Sequence, residues 1–231
     1  MNSKVSNSKV HLRGTIFGST GLIGSHLKSY LGEDESFEQV FLPNRRESPA
    51  EEPDNLEPRH IDFDQLEQYP DLFKVDVIFI CLGTTRKKAG SKAAFQKVDR
   101  DLVHRIAKLA KKYECQKLIV ISSLGADASA SNFYLKTKGE AEELVRQNGP
   151  EDVHFLRPSL LLGDRSEFRL GERIAQVLMP LLSFLMVGKL KQYQPIEGKV
   201  VARAMQILAK QAHADSVLLP NQIKAVVEKN Q

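Results

Sequence analysis

The sequence predicts an α/β fold, a doubly wound parallel sheet, and three observations carry that prediction. First, three glycines, Gly18, Gly21 and Gly24, sit between the apolar run ending at Phe17 and a segment with helical periodicity. Second, Val75–Leu82 and Lys117–Ile121 are almost continuous apolar runs, which is how strands buried on both faces of a parallel sheet read. Third, each of those runs is followed by small or polar residues and then by an amphipathic helical stretch.

Bulk properties narrow the function. The 231 residues suffice for one sizeable core, so the expectation is a single domain over 1–231, with 159–231 folding back to shape a substrate pocket. The formal charge of +4 arises from 33 cationic and 29 anionic residues spread along the chain, which argues against a nucleic-acid partner. Arg86-Lys87-Lys88 and Lys108 to Lys112 read as a solvated loop and a solvated helix face. The two cysteines, Cys81 and Cys115, lack metal-ligand spacing, and the strand assignment puts them at opposite sheet edges, where they cannot bridge. No metal is expected, and reduced thiols point to the cytoplasm. Met1–Val10 has no apolar core of the signal-peptide kind. The longest apolar run, Ile174–Val187, contains Gln176 and Pro180 and is too short to cross a bilayer, so no integral membrane association is expected.

In chain order, Val10–Phe17 is the first strand and Leu22–Leu31 the first helix. Between them Gly18 allows the sharp turn, Gly21 lets the backbone approach a pyrophosphate, and Gly24 lets the helix pack closely on the sheet. Amides at the helix N-terminus then face the phosphates, although the same glycines would serve a tight turn with no ligand. Gln39–Pro43 is a second strand running into Asn44-Arg45-Arg46. An acid here would hold the ribose hydroxyls of NAD, whereas arginine accepts a 2′-phosphate; two arginines and no acid point to NADP. Glu47–Arg59, acidic and proline-bearing, reads as a loop. His60–Phe63 reads as a third strand, with Asp62 and Phe63 at its carboxyl end. That carboxylate would accept from an adenine amino group, or else form a turn. Val75–Leu82 ends in Gly83-Thr84-Thr85, small residues that leave room for a ligand against the backbone. Phe95–Tyr113 is helical, with Val98, Leu102, Ile106 and Leu109 at helical spacing. Lys117–Ile121 runs into Ser122-Ser123, and Val153–Arg157 is a strand stopped by Pro158. Beyond it come a loop with Arg165 and Arg169, the apolar run, a helix Lys199–Gln211, a short strand Ser216–Leu219 and a final helix.

The helix Asn132–Gln147 carries the chemistry. One stripe holds Tyr134, Lys138, Ala141 and Val145, and the opposite stripe holds Lys136, Glu140, Glu143 and Gln147. Lys138 therefore points inward, where an ammonium is costly without a task or a partner. Tyr134 lies one turn before it on the same face. A phenol with a pKa of about 10 is a poor proton donor or acceptor at neutral pH, and a nearby ammonium favours its ionised form. The strand ends bring Thr84, Ser123 and Arg157 to the same sheet edge. Ser123 would hydrogen-bond a substrate carbonyl, Lys138 would donate to a nicotinamide ribose, and Tyr134 would supply the proton as hydride reaches the carbon.

Gly18-x-x-Gly21-x-x-Gly24, Asn44-Arg45-Arg46, Leu82-Gly-Thr-Thr-Arg-Lys-Lys-Ala-Gly90, Ser122-Ser-Leu-Gly-Ala-Asp127, Tyr134-x-x-x-Lys138 and Phe155-Leu-Arg-Pro158 follow the order and spacing of a known family. From about Val10 to Glu172 the chain resembles the atypical short-chain dehydrogenases/reductases, in the branch of the Tat-interacting oxidoreductase. The resemblance implies a Rossmann fold binding NADPH through Ser19, Thr20, Gly21, Leu22, Ile23, Arg45, Arg46, Leu82, Gly83, Tyr134, Lys138, Leu161 and Arg169, with Tyr134 as general acid/base. Many short-chain dehydrogenases place an asparagine on the helix before the serine strand, where this chain has Val98-Asp99, and Ser122 and Ser123 both fit the serine position. The expected activity is NADPH-dependent reduction of a small carbonyl substrate by a monomer or homodimer. The alternative is an NADPH-binding redox sensor that docks a protein partner through Arg86–Lys92 or the 174–187 run.

Overall fold

Seven parallel strands run through the centre of the molecule. They are β1 (Leu12–Phe17), β2 (Phe37–Asn44), β3 (Leu56–His60), β4 (Val77–Ile80), β5 (Lys117–Ile121), β6 (Asp152–Leu156) and β9 (Val217–Leu218), and they lie side by side in the order β3-β2-β1-β4-β5-β6-β9. The computed structural model describes residues 11–47, 51–162 and 194–230. Two further short strands, β7 (Leu161–Leu162) and β8 (Ile196–Glu197), pair with each other. The helices are α1 (Leu22–Gly32), α2 (Arg86–Ala89), α3 (Lys92–Gln96), α4 (Val103–Lys112), α5 (Phe133–Asn148), α6 (Gly198–Lys210) and α7 (Pro220–Glu228). The strand order reverses between β1 and β4, which opens a crevice at their carboxyl ends. This is the Rossmann-like doubly wound fold that the glycine triplet and the apolar runs predict.

Burial on both faces explains the unbroken apolar runs. Ile16 packs into one layer and Phe17 into the other; in β4, Val77 and Phe79 face the first layer while Ile78 and Ile80 face the second. The first layer is closed by α1, α6 and α7 through Leu27, Leu31, Val201, Met205 and Ile223. The second is closed by α4 and α5 through Ile106, Ala110 and Val145, joined by Leu66 and Phe73. Lys108, Lys111 and Lys112 lie exposed on the outer face of α4, the solvated face expected of them.

Two local expectations change. The third strand occupies Leu56–His60 instead of His60–Phe63, inside the stretch expected to be a loop. Only Leu56 is buried in this edge strand, so its sequence carries no apolar alternation, and Phe63 instead opens a 3-10 turn. The helix expected over Phe95–Tyr113 is a composite path: α3, a wide π-type turn over Lys97–Leu102, then α4.

The chain after 194 completes the core. β9 extends the sheet beside β6, pairing Phe155 with Val217, and Gly198 at the start of α6 lies so close to α1 that an added Cβ would stand 2.9 Å from Leu22. The loop with Arg165 and Arg169 and the apolar run 174–187 lie outside the described residues. Among the described residues no helix is long and apolar enough to cross a membrane.

Asp34 ties the end of α1 to α6 by accepting from Gln206 at 2.6 Å and Lys210 at 2.7 Å. Burial alone would raise its pKa, but bonds from Lys210, Ser36 and Gln206 prevail and hold it at about 2. Its folded pKa is below the unfolded value, so the stabilisation is complete at neutral pH and fades as pH falls from about 4 towards 2. Asp34→Asn should therefore lower the Tm at pH 7 and leave it nearly unchanged at pH 2, read by circular dichroism melts at both pH values.

Candidate active site

The crevice begins at the glycine turn. Gly18 has φ +92°, and a Cβ on it would stand 2.8 Å from the Cys81 carbonyl at the end of β4. A Cβ on Gly24 would stand 2.1 Å from the Gly18 oxygen. The protein's own packing thus demands both glycines. Gly21 is different: a Cβ there would meet only the Gly18 and Cys81 oxygens, at ordinary distances of 3.4 and 3.9 Å. The exposed space beside Gly21 is kept free by choice of residue, which is what close approach by a pyrophosphate needs. No side chain caps the N-terminus of α1, and its first turn holds no acid, so its amides are available to an anion. Thr20 is exposed, Leu22 half-buried and Ile23 part of the core. Buried Ser19 ties the turn to the end of β2 through Asn44 at 3.3 Å. These residues fit a dinucleotide.

Beyond β2, Arg45 and Arg46 are exposed, and the Arg45 guanidinium lies 5.4 Å from the centroid of the Phe63 ring. Phe63 is half-buried and meets Phe17 edge-on. Asp62 takes the turn-forming alternative. Its carboxylate accepts from the Gln65 side chain at 2.7 Å and the Asp64 amide at 2.8 Å, and both bonds hold its pKa below the usual carboxylate value. Asp62 is exposed and each of its oxygens keeps a further lone pair, so the turn leaves the expected adenine contact open.

At the end of β4, Leu82, Gly83 and Thr84 are joined to α5 by an acid that the sequence had marked only as a departure from the family. Asp99 is 1% exposed. One of its oxygens accepts the Thr84 amide at 2.9 Å, and the other lies 2.9 Å from the Lys138 Nζ. The Lys138 side chain is 7% exposed, inward as its stripe predicts. Burial pulls its pKa down, but the Asp99 carboxylate, aided by Tyr134 and Glu142, more than reverses this, and the net direction is up. Tyr134 is 40% exposed at the helix start, and its ring lies 5.9 Å from that of Phe95. Asn132 caps α5 through the Tyr134 and Leu135 amides, so the tyrosine occupies its fixed first turn. A Cβ on Gly139 would stand 2.2 Å from the 127–128 backbone, so α5 lies hard against that loop.

The two serines have different surroundings. Buried Ser122 donates to Glu142 at 2.5 Å. Arg157 grips the same carboxylate with two bonds, 2.8 and 2.7 Å, and Arg146 adds a third at 3.0 Å. Ser122 and Arg157 thus belong to a structural knot behind the sheet edge: Glu142 engages the Arg157 Nε and one Nη atom, and the cofactor contact expected of Arg157 would fall to its remaining N–H groups. Ser123 is half-buried, and among the described residues its hydroxyl meets only the Leu124 carbonyl, at 3.4 Å. Leu161 packs at the border of the first layer, and Arg169 lies outside the described residues. Sequence reasoning missed Asp99 and Glu142 as partners. The signal for Glu142 was its spacing: four residues after Lys138, it is a carboxylate on the buried stripe.

A family model described as NAD(P)H-binding matches residues 18–176. The chain belongs to this NAD(P)H-binding family. Among relatives, it is 41% identical over 176 residues to Protein HTATIP2 of Rattus norvegicus, covering 75% of this chain and 71% of that protein, which bears out the resemblance to the Tat-interacting branch. It is 32% identical over 169 residues to Protein FMP52, mitochondrial, of Candida albicans, covering 71% and 73%. Among solved structures, the fold of this family member matches ADP-L-glycero-D-manno-heptose-6-epimerase of Helicobacter pylori with TM-score 0.68 at 15% identity, covering 97% and 84%. It also matches MoeE5 in complex with UDP-glucuronic acid and NAD with TM-score 0.65 at 18% identity, covering 94% and 82%. The FMP52 relatives, in Saccharomyces cerevisiae as well, are named mitochondrial, and this overturns the cytoplasmic expectation. Free thiols report a reducing environment, which does not single out one compartment.

Gly24 and Gly21 separate by substitution. Gly24→Ala should cost about 2 kcal/mol in urea unfolding, because a Cβ there forces backbone apart. Gly21→Ala should leave stability within about 0.5 kcal/mol yet weaken dinucleotide binding at least tenfold by isothermal titration calorimetry.

Proposed function

We propose that this NAD(P)H-binding protein is an NADPH-dependent reductase of a small carbonyl compound. The observation that carries the reading is exposed Tyr134 one turn from buried Lys138, at the sheet edge where the Ser123 hydroxyl makes a 3.4 Å contact to the Leu124 carbonyl. Bound NADPH would supply the hydride. The amides of the Gly18–Ile23 turn would take the pyrophosphate, and Arg45 and Arg46 the 2′-phosphate, with Arg45 pre-ordered over Phe63. Leu82, Gly83 and Thr84 would line the floor beside the nicotinamide, and Lys138 would donate to its ribose. Ser123 would orient the substrate carbonyl, and Tyr134 would pass its proton to the oxygen as negative charge develops there. Leu161 and Arg169 would contact the cofactor, and the 159–231 region would shape the substrate pocket. The mitochondrial names of the relatives support a mitochondrial setting. A monomer or homodimer fits this reading.

One observation favours a second reading, a cofactor-binding sensor with little turnover. The Lys138 charge is already met by Asp99, so less of it acts on Tyr134. Such a sensor would not work through its thiols, since burial pushes both Cys81 and Cys115 up to about 12.

NADPH should raise the Tm several degrees more than NADH at equal concentration, and Arg45→Ala with Arg46→Ala should erase the difference. Equal shifts in the wild type would sink the NADP assignment. Tyr134→Phe should lower kcat against a carbonyl panel by about 100-fold or more while NADPH affinity stays within about threefold. A wild type inert across that panel, yet binding NADPH, would favour the sensor over the reductase.

A further inference from the structure

The wide π-type turn over Lys97–Leu102 interrupts an otherwise α-helical path and carries Asp99 on its inner side. Asp99 has two distinct partners. Accepting from the Thr84 amide is a task that an asparagine oxygen would perform equally well. Facing the Lys138 ammonium at 2.9 Å is not, because an asparagine would leave a buried cation without a counter-charge. The β4 loop closes over the pair: a Cβ on Gly83 would stand 3.7 Å from the Asp99 Oδ1.

We infer that Asp99 is a positioning residue for Lys138, holding it protonated and fixed between the β4 loop and α5 as the anchor of a ribose. The ribose part rests on the cofactor reading above; the protonation part does not. Among the described residues, the charged or titratable groups bearing on Lys138 are Asp99 from the π-type turn and Tyr134 and Glu142 from its own helix. Glu142 is itself matched by Arg157 and Arg146, and the β4 loop offers the neutral Leu82, Gly83 and Thr84. Without the Asp99 charge, burial dominates, and burial disfavours an ammonium. Lys138 would then lose its proton at a lower pH.

The test compares wild type with Asp99→Asn, measuring NADPH affinity from pH 6 to pH 9 and the Lys138 Cε resonance in 13C-lysine-labelled protein. The wild-type lysine should remain charged throughout. In Asp99→Asn its resonance should titrate within the range, with NADPH affinity near wild type at pH 6 and at least tenfold weaker at pH 9. A merely structural role would lower affinity by the same factor at every pH. That uniform loss, or a variant whose Lys138 stays charged through pH 9, would overturn the inference. If the resonance titrates as stated and neither protein binds NADPH, the cofactor reading fails and the role of Asp99 in Lys138 protonation stands. Should Asp99→Asn not fold, the Asp99→Asn/Lys138→Met double variant decides. Recovery of folding identifies the unpaired ammonium as the cause, and equal loss of folding refutes it.

Discussion

Backbone packs directly on backbone where β1 ends, and the rest of the molecule depends on that contact. With no Cβ at Gly18 or Gly24, the turn after β1 lies against the Cys81 carbonyl of β4 and the first turn of α1 lies against the Gly18 carbonyl. This close approach aims the start of α1 at the crevice where the strand order reverses. It also sets the depth at which α1 meets α6 in the first layer. A larger residue at either position would lift the helix off the sheet and turn its uncapped N-terminal amides away from the crevice.

The opposite wall is organised by charge. α5 buries Lys138 and Glu142 one turn apart, and each is neutralised by a residue from elsewhere in the chain: Asp99 from the π-type turn, Arg157 from the end of β6. A buried ion costs several kcal/mol unless its partners are well placed, so these two pairs set the register of α5 against the strands. They also divide the serines, since Glu142 captures Ser122 and leaves Ser123 at the edge. The helix that bears Tyr134 and Lys138 is thus held by two buried ion pairs.

Much of this was legible in advance. The central strands were plain because burial on both faces leaves few polar positions in them, and the inward placement of Lys138 followed from helical spacing. β3 was misplaced because an edge strand with one buried residue has no pattern to read. Asp62 and Arg157 were drawn towards the ligand because chemical type and nearness to a strand end say nothing about prior commitments. Asp62 forms its own turn, and Arg157 binds a carboxylate 15 residues away. The compartment was misjudged for another reason: two unpaired cysteines measure redox environment, and that property does not distinguish one reducing space from another.

By itself the sequence determined the doubly wound sheet, the glycine turn and the pairing of a tyrosine with an inward lysine on one helix. Each is a local pattern, governed by the period of a strand or helix or by the absence of a Cβ. Only the tertiary structure decided which carboxylate meets Lys138, which serine Glu142 takes and which arginine grips that buried glutamate. Those outcomes depend on competition among groups distant in sequence for a small number of buried partners. That competition is resolved by position in space, which no local pattern encodes.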